Sequence, residues 1–225
     1  LKRYAIIVAA GSGTRMASSL AKQFMLLAGT PLLMHTIRRF HEADPEMQLV
    51  VVLPAQEIPY WKELCRQHTF TIPHELTAGG STRLQSVSNG LQQVPDGCLV
   101  AVHDGVRPFV NRKLILHCFE EAAIHGNAVP CIPVYESLRR IAPENNERAD
   151  RNEYMLVQTP QCFHSDSLKK AYGSSGAGEF TDDASVLEAS GEKIHLVQGL
   201  KENIKLTTQA DFHMAEGLIR FFERH

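Results

Sequence analysis

Three short segments carry residue types suited to holding a phosphorylated ligand. The first is AAGSGTRM, residues 9–16, with Lys22 just beyond it. Gly11 and Gly13 lack a Cβ, so the backbone can turn tightly there and approach a ligand closely. Successive N–H groups of such a loop can cradle phosphate oxygens. Arg15 adds a forked cation and Lys22 a point charge. Two glycines alone would be explained by a turn between strand and helix; the neighbouring cations argue for more. Two common nucleotide loops are excluded. The dinucleotide fingerprint needs Gly or Ala where Met16 stands, and the G-x-x-x-x-G-K-[ST] pattern is absent.

The second segment is AGGSTR, residues 78–83. Gly79 and Gly80 permit close approach to a flat base, and Ser81 and Arg83 follow. A plain helix start with Ser81 as N-cap accounts for the same residues. The third is HDGVRP, residues 103–108, where Asp104 can accept hydrogen bonds from sugar hydroxyls and Arg107 can hold a phosphate. A simple ion pair is the alternative. Lys205 sits among apolar residues in NIKLT, so it either reaches a cleft or faces solvent on an edge strand. TDDAS, residues 181–185, reads as a helix start capped by Thr181, with Asp182 and Asp183 complementing the helix dipole. A paired-carboxylate metal site is the sharper alternative.

The elements that must position these residues follow from hydrophobic periodicity. Short apolar runs at 4–10, 48–53, 70–73 (FTIP), 98–104 and 128–134 predict buried strands. Helical spacing appears at 31–43, 55–68, 81–94 and 111–125, the last with Asn111 as a cap. Residues 135–158 alternate short apolar pieces with charged ones, which predicts an extended excursion or hairpin outside the core. Helices are expected again at 164–172, 181–190 and 208–223, with strands at 193–198 and 203–207. Alternating strands and helices predict an α/β fold: a mostly parallel sheet covered by helices on both faces. On such sheets ligands gather at the carboxyl ends of the strands, where all three loaded segments fall.

Bulk properties narrow the class. The chain has 225 residues, enough for one sizeable domain and marginal for two, and no linker divides it. Its net charge of -2 argues against nucleic acid as the main partner. The five cysteines are scattered and none forms C-x-x-C, so buried reduced thiols and a cytoplasmic location are expected. The eleven histidines show no zinc-protease spacing. No apolar run approaches the ~20 residues that span a bilayer, and the first residues do not read as a signal peptide.

Eight motifs occur in order: AAGSGTRM, KQF, AGGSTRLQSV, VHDGVRPF, ADRN, QTPQCF, TDDASVLEASG and ENIKLT. Together they resemble the 2-C-methyl-D-erythritol 4-phosphate cytidylyltransferases of the non-mevalonate isoprenoid pathway, from residue 5 to about 215. The resemblance implies a Rossmann-like nucleotidyltransferase (EC 2.7.7 class) that joins CTP to 2-C-methyl-D-erythritol 4-phosphate and releases pyrophosphate. It implies Mg²⁺ held mainly through CTP phosphates, with no protein metal ligands. It assigns Arg15, Lys22 and Lys205 to charge stabilisation at the α-phosphate. Ala9, Ala10, Gly11, Ser12, Gly13, Gly80, Ser81, Ser86, Asp104 and Gly105 match CTP contacts. Asp104, Arg107, Thr159 and Thr181 match contacts to the polyol phosphate. It also implies a homodimer in which an arm, residues 135–158, carries Ser137 and Arg151 into the neighbour's site.

Some positions depart from the family's commoner pattern. Ser81 stands for an acidic residue, Glu136 for aspartate, Ser137 for threonine and Gly105 for alanine, and Thr14 stands where some members have a second arginine. A sister cytidylyltransferase acting on ribitol 5-phosphate, an enzyme preferring UTP or GTP, and a non-catalytic nucleotide-binding regulator are the alternatives.

Overall fold

A computed structural model describes residues 1–11, 21–174 and 180–222, with the side chain of Phe222 excepted. The elements run β1 (Arg3–Val8), a short β2–β3 hairpin (Leu26–Leu27 and Thr30–Pro31), α1 (Leu32–Ala43) and β4 (Gln48–Leu53). Next come α2 (Ile58–Gln67), β5 (Glu75–Ala78), α3 (Arg83–Leu91), β6 (Leu99–Asp104), α4 (Arg112–His125) and β7 (Asn127–Pro133). A hairpin of β8 (Leu138–Ala142) and β9 (Asn145–Ala149) follows, then β10 (Met155–Val157), β11 (Gln161–His164) and α5 (Ser165–Ser174). The chain ends with α6 (Asp183–Ala189), β12 (Leu196–Gln198) and α7 (Gln209–Phe222).

The main sheet has the order β10-β7-β11-β6-β1-β4-β5, with β12 added in parallel to β7. β1, β4, β5 and β6 are mutually parallel, whereas β11 runs antiparallel to β6 and β7, and β10 antiparallel to β7. The expected α/β architecture is therefore present, with a mixed rather than purely parallel edge.

Strand alternation sorts the core into two layers. Ala5, Ile7, Leu49, Val51 and Ala101 pack on one face against Leu33, Ile37 and Phe40 of α1 and Ile115 of α4. Ile6, Val50, Val52, Val100 and Val102 pack on the other against Val87 of α3, Leu168 of α5 and Leu187 of α6. Both faces are covered, which is why these strands read as unbroken apolar runs. Gly90 lets α3 lie close to the sheet: a Cβ there would come within 2.7 Å of Ile6 Cγ2. All five cysteines are free, four of them buried, as expected. Among the described residues no helix is long and apolar enough to cross a membrane.

Several local expectations need correction. The third strand is Glu75–Ala78, not residues 70–73. Pro73 has no N–H for a ladder, and His74 is drawn aside, its Nε2 accepting from Trp61 Nε1 at 2.9 Å. Residues 203–207 form no strand; Leu206 N donates singly to Val106 O, and Ile204 N turns back to Glu202 O. The strand expected over 193–198 is confined to Leu196–Gln198. Thr82, not Ser81, caps α3, and Asp182, not Thr181, caps α6. In each case the residue one place closer to the helix accepts the N–H three positions on, at 3.1 and 3.0 Å. Asn111 caps α4 as expected, accepting from Leu114 N at 2.8 Å.

His103, near the end of β6, is fully buried with Phe40 edge-on at 4.8 Å. Its Nε2 lies 3.1 Å from Arg107 O and its Nδ1 3.0 Å from Thr159 Oγ1. Burial pushes the imidazole down to about 4 from the ordinary 6.5. Between those values the unfolded chain binds a proton that the folded chain does not, so stability rises with pH there and is lost as pH falls. His35 and His74, also lowered by burial, act in the same direction. Urea midpoints measured from pH 7.5 to 4.5 are expected to fall, with His103 contributing up to roughly 3 kcal/mol. A flat profile over this range would contradict the buried neutral imidazole.

Candidate active site

The exits of β6, β1, β4 and β5 are stitched side by side in that order. Ala9 N donates to Val52 O at 2.9 Å, Gly79 N to Leu53 O at 2.8 Å and Gly105 N to Val8 O at 2.8 Å. Packing here leaves no room for side chains. A Cβ on Gly79 would lie 2.4 Å from the Ala10 Cβ, and one on Gly105 would lie 2.9 Å from the Ala9 Cβ. Glycines on either side thus allow Ala9–Ala10–Gly11 to leave the sheet between two other loops. Gly105, a departure from the usual alanine, is suited to that fit. Ser12, Gly13 and Arg15 lie outside the described residues.

The loop at 79–82 is wired to its own helix. Ser86 Oγ accepts from Gly80 N at 3.1 Å and donates to Thr82 O at 2.8 Å. Gln85 Oε1 accepts from Ser81 N at 2.9 Å and from Ser81 Oγ at 3.1 Å. Ser86 is buried, so it shapes this loop from beneath, while Ser81 is exposed at its rim. Lys22 opens a 3₁₀ turn, Lys22–Phe24, that is anchored by Phe24, whose ring stacks on Trp61 at 6.1 Å.

Beyond β6 lies a cavity of about 290 Å³ lined by Arg83, Asp104, Arg107, Val157, Gln158, Thr159, Gln161, Thr181, Asp182 and Lys205. Asp104 sits at its base. Arg107 Nε donates to Asp104 Oδ2 at 3.0 Å, and Lys205 Nζ lies 3.1 Å from the same oxygen. Thr159 Oγ1 accepts from the Asp104 backbone N–H at 3.1 Å. Burial by itself would raise the Asp104 carboxyl, but Lys205, Arg107 and Arg83 hold it well below the usual carboxylate range. It is an anion throughout the physiological range. The ion-pair reading of HDGVRP holds, and the pair faces a cavity.

Arg83 is set by a different partner. Its guanidinium makes a forked pair with Asp183, at 3.1 Å to Oδ1 and 2.6 Å to Oδ2, and Tyr172 O–H donates to Oδ1 at 2.5 Å. Burial opposes the charge on Arg83, but Asp183 and then Asp104 outweigh it and keep the guanidinium protonated. Asp182 caps α6 and accepts from Gln161 Nε2 at 2.8 Å. Gln161 Oε1 in turn accepts from Asp183 N at 3.1 Å and Ala184 N at 2.8 Å. The two aspartates are thus engaged structurally, and TDDAS does open a helix.

Lys205 reaches the cavity on a braced loop. Asn203 Nδ2 donates to Thr159 O at 2.8 Å, and Arg107 Nη1 donates to Asn203 O at 2.8 Å. Gln158 Nε2 donates to Leu200 O at 2.7 Å while its Oε1 accepts from Leu200 N at 3.1 Å. Sequence reading did not single out Gln158, Gln161 or Asn203. Amides of this kind have no spacing signature, because their partners lie tens of residues away or across the sheet. Ser137 and Arg151 are exposed and do not line the cavity; Arg151 Nη1 instead donates to Tyr135 O.

Three cations, Arg83, Arg107 and Lys205, line the cavity, the first paired with Asp183 and the other two sharing Asp104, so it presents N–H donors to an anionic group. Asp104 Oδ2 is taken by two cations, and both carboxylate oxygens of Asp182 accept from N–H groups. They do not form a cage for a hard cation, which takes several free oxygens. A Mg²⁺ ion would fit here only if a phosphorylated ligand supplied most of its ligands.

The family model described as 2-C-methyl-D-erythritol 4-phosphate cytidylyltransferase matches residues 4–221. A protein of that name from Porphyromonas gingivalis is 51% identical over 219 residues, covering 97% of this chain and 98% of its own. The crystal structure of the enzyme of that name from Thermus thermophilus superposes with a TM-score of 0.82 at 31% identity, covering 98% of this chain and all of the other. A 4-diphosphocytidyl-2C-methyl-D-erythritol synthase from Anaerococcus prevotii, at 24% identity and a TM-score of 0.85, shares the fold and covers 97% of this chain and 96% of its own. With its strand-exit loops and its cation-lined cavity in place, this chain belongs to the 2-C-methyl-D-erythritol 4-phosphate cytidylyltransferase family.

Proposed function

We propose that this protein transfers the cytidylyl group of CTP to 2-C-methyl-D-erythritol 4-phosphate, yielding 4-diphosphocytidyl-2-C-methyl-D-erythritol and pyrophosphate for isoprenoid precursor synthesis. The observation that carries the reading is the cation-lined cavity around Asp104, at the carboxyl end of β6, in a chain of this family. In the reaction a phosphate oxygen of the polyol forms a bond to the α-phosphorus of CTP. The bond from that phosphorus to the bridging oxygen breaks, and pyrophosphate leaves with the electron pair. The attacking group is already an anion, so no general base is needed. Positioning and charge stabilisation carry the catalysis.

The roles are those that the match to the family's motifs implies. Ala9, Ala10, Gly11, Ser12 and Gly13 offer backbone to the nucleotide, with Gly80, Ser81 and Ser86 framing the base. Asp104 and Gly105 lie where a ribose would emerge from the strand ends. Arg107, Thr159 and Thr181 border the cavity proposed for the polyol phosphate. Arg15, Lys22 and Lys205 would meet charge at the α-phosphate. Mg²⁺, carried in on CTP, would neutralise triphosphate charge, and the engagement of Asp104 and Asp182 by protein partners suits that arrangement. A polyol such as ribitol 5-phosphate is not favoured, since the full-length relatives carry the methylerythritol name. Retained Lys22 and Lys205 speak against a silent regulator.

We also propose a homodimer joined through the β8–β9 arm. The arm projects charged and apolar side chains, and Ile141 is 78% exposed in the single chain. Tyr154, Met155, Leu156 and Val157 are exposed beside it. A second subunit would cover this surface and receive Ser137 and Arg151 near its cavity. The five free thiols suit a reducing cytoplasmic setting.

Pyrophosphate release measured over a matrix of four nucleoside triphosphates and both polyol phosphates should be fastest with CTP and 2-C-methyl-D-erythritol 4-phosphate. Faster turnover of ribitol 5-phosphate would overturn the substrate assignment. Arg15→Ala and Lys22→Ala are each expected to lower kcat about 10²-fold or more with little change in CTP affinity. Rates near those of the unaltered protein in both would remove these residues from the transition state. Light scattering should give twice the chain mass, and Arg151→Ala should raise KM for the polyol phosphate; a monomer at full activity would refute the shared site.

A further inference from the structure

Glu121 and His125 are four residues apart on α4, and so share one face of its last turns. His195 lies just ahead of β12 and meets them there. Its Nε2 is 2.9 Å from Glu121 Oε2, and His125 Nε2 is 3.4 Å from the same oxygen. The two imidazoles stack at 3.9 Å between centroids, 16° from parallel. Three donor atoms, all within 4.8 Å of one another, therefore converge on one point.

We propose that Glu121, His125 and His195 bind a divalent transition metal ion of the zinc class. Two imidazoles and a carboxylate are ligands for such an ion, whereas a site for Mg²⁺ would be built of oxygens. Bonds of about 2 Å place two tetrahedral ligands about 3.3 Å apart, so small rotations, above all of the exposed His125, would close the set. The backbone beneath is already fixed. Asn127 Oδ1 accepts from His195 N at 2.8 Å, Asn127 Nδ2 donates to Lys193 O at 2.8 Å, and Val129 N donates to His195 O at 2.9 Å. His125 is the last residue of α4, where unpaired carbonyls make the surroundings favourable to a cation. A fourth position remains for water.

Nothing in this cluster lines the cavity around Asp104, and the proposal does not rest on the reaction assigned above. Its consequence is mechanical. Metal would tie the end of α4 to the segment that leaves His195, passes through β12 and ends at Lys205. Occupancy would thus brace one anchor of that loop.

The test is titration of the full chain with Co²⁺, followed by its visible ligand-field absorption, then displacement by Zn²⁺. One ion per chain is expected, retained in excess Mg²⁺, with Zn²⁺ raising the Tm. His125→Ala, His195→Ala and Glu121→Gln should each weaken binding at least tenfold, while His213→Ala, on α7, leaves it unchanged. Glu121→Gln keeps the side chain's shape, so the test stands even where His195→Ala loosens the strand. The proposal is overturned by absence of saturable one-to-one binding, by unchanged affinity in the His125→Ala/His195→Ala double variant, or by an equal loss in His213→Ala.

Discussion

The arrangement at the end of β6 depends on one buried carboxylate. Asp104 takes Arg107 and Lys205 on a single oxygen, and its own N–H is held by Thr159. Those partners come from the turn after β6, from the chain entering β11 and from the loop before α7. An unpaired buried carboxylate would cost several kcal/mol, so the three segments are held together or the strand end is destabilised. The same pairing stores two cations in the cavity wall without letting them repel each other freely.

The mixed sheet makes this convergence possible. Because β11 runs antiparallel between β6 and β7, the chain enters it at the carboxyl end of β6. Thr159, Gln158 and Gln161 therefore stand beside Asp104, where a right-handed parallel crossover would have placed a helix. Gln161 and Gln158 then reach in two directions, one to the start of α6 and one to Leu200. Arg83 is delivered from α3 and fixed by Asp183 of α6, which Tyr172 of α5 also holds, so the positive wall draws on three helices and a loop. No single peptide segment contains it.

Much of this was legible in the chain. Unbroken apolar runs marked β1, β4 and β6 and placed the first and third chemical segments at the ends of β1 and β6. Asn111 and the cap positions near Thr82 and Asp182 were visible to within one residue. The third strand was misplaced because Phe70 and Ile72 are apolar, yet Pro73 and the Trp61–His74 bond hold that stretch out of the ladder. NIKLT has the alternation of a strand but none of its partners, since the neighbouring backbone at Val106 offers one hydrogen bond and then turns away. Periodicity reports which side chains are buried, not which backbone groups are paired.

Residue order by itself determined the fold class and the glycine-bearing turns at the strand ends. These depend on local sterics and on hydrophobic spacing, both of which are written along the chain. Only the tertiary structure decided that Lys205 shares an oxygen with Arg107, that Asp183 anchors Arg83, and that His195 stands against Glu121 and His125. Those pairings join residues tens of positions apart through the register of one mixed sheet. Ion pairs and amide bonds at such separations leave no periodic trace, because their energies depend on burial and distance rather than on spacing in the sequence.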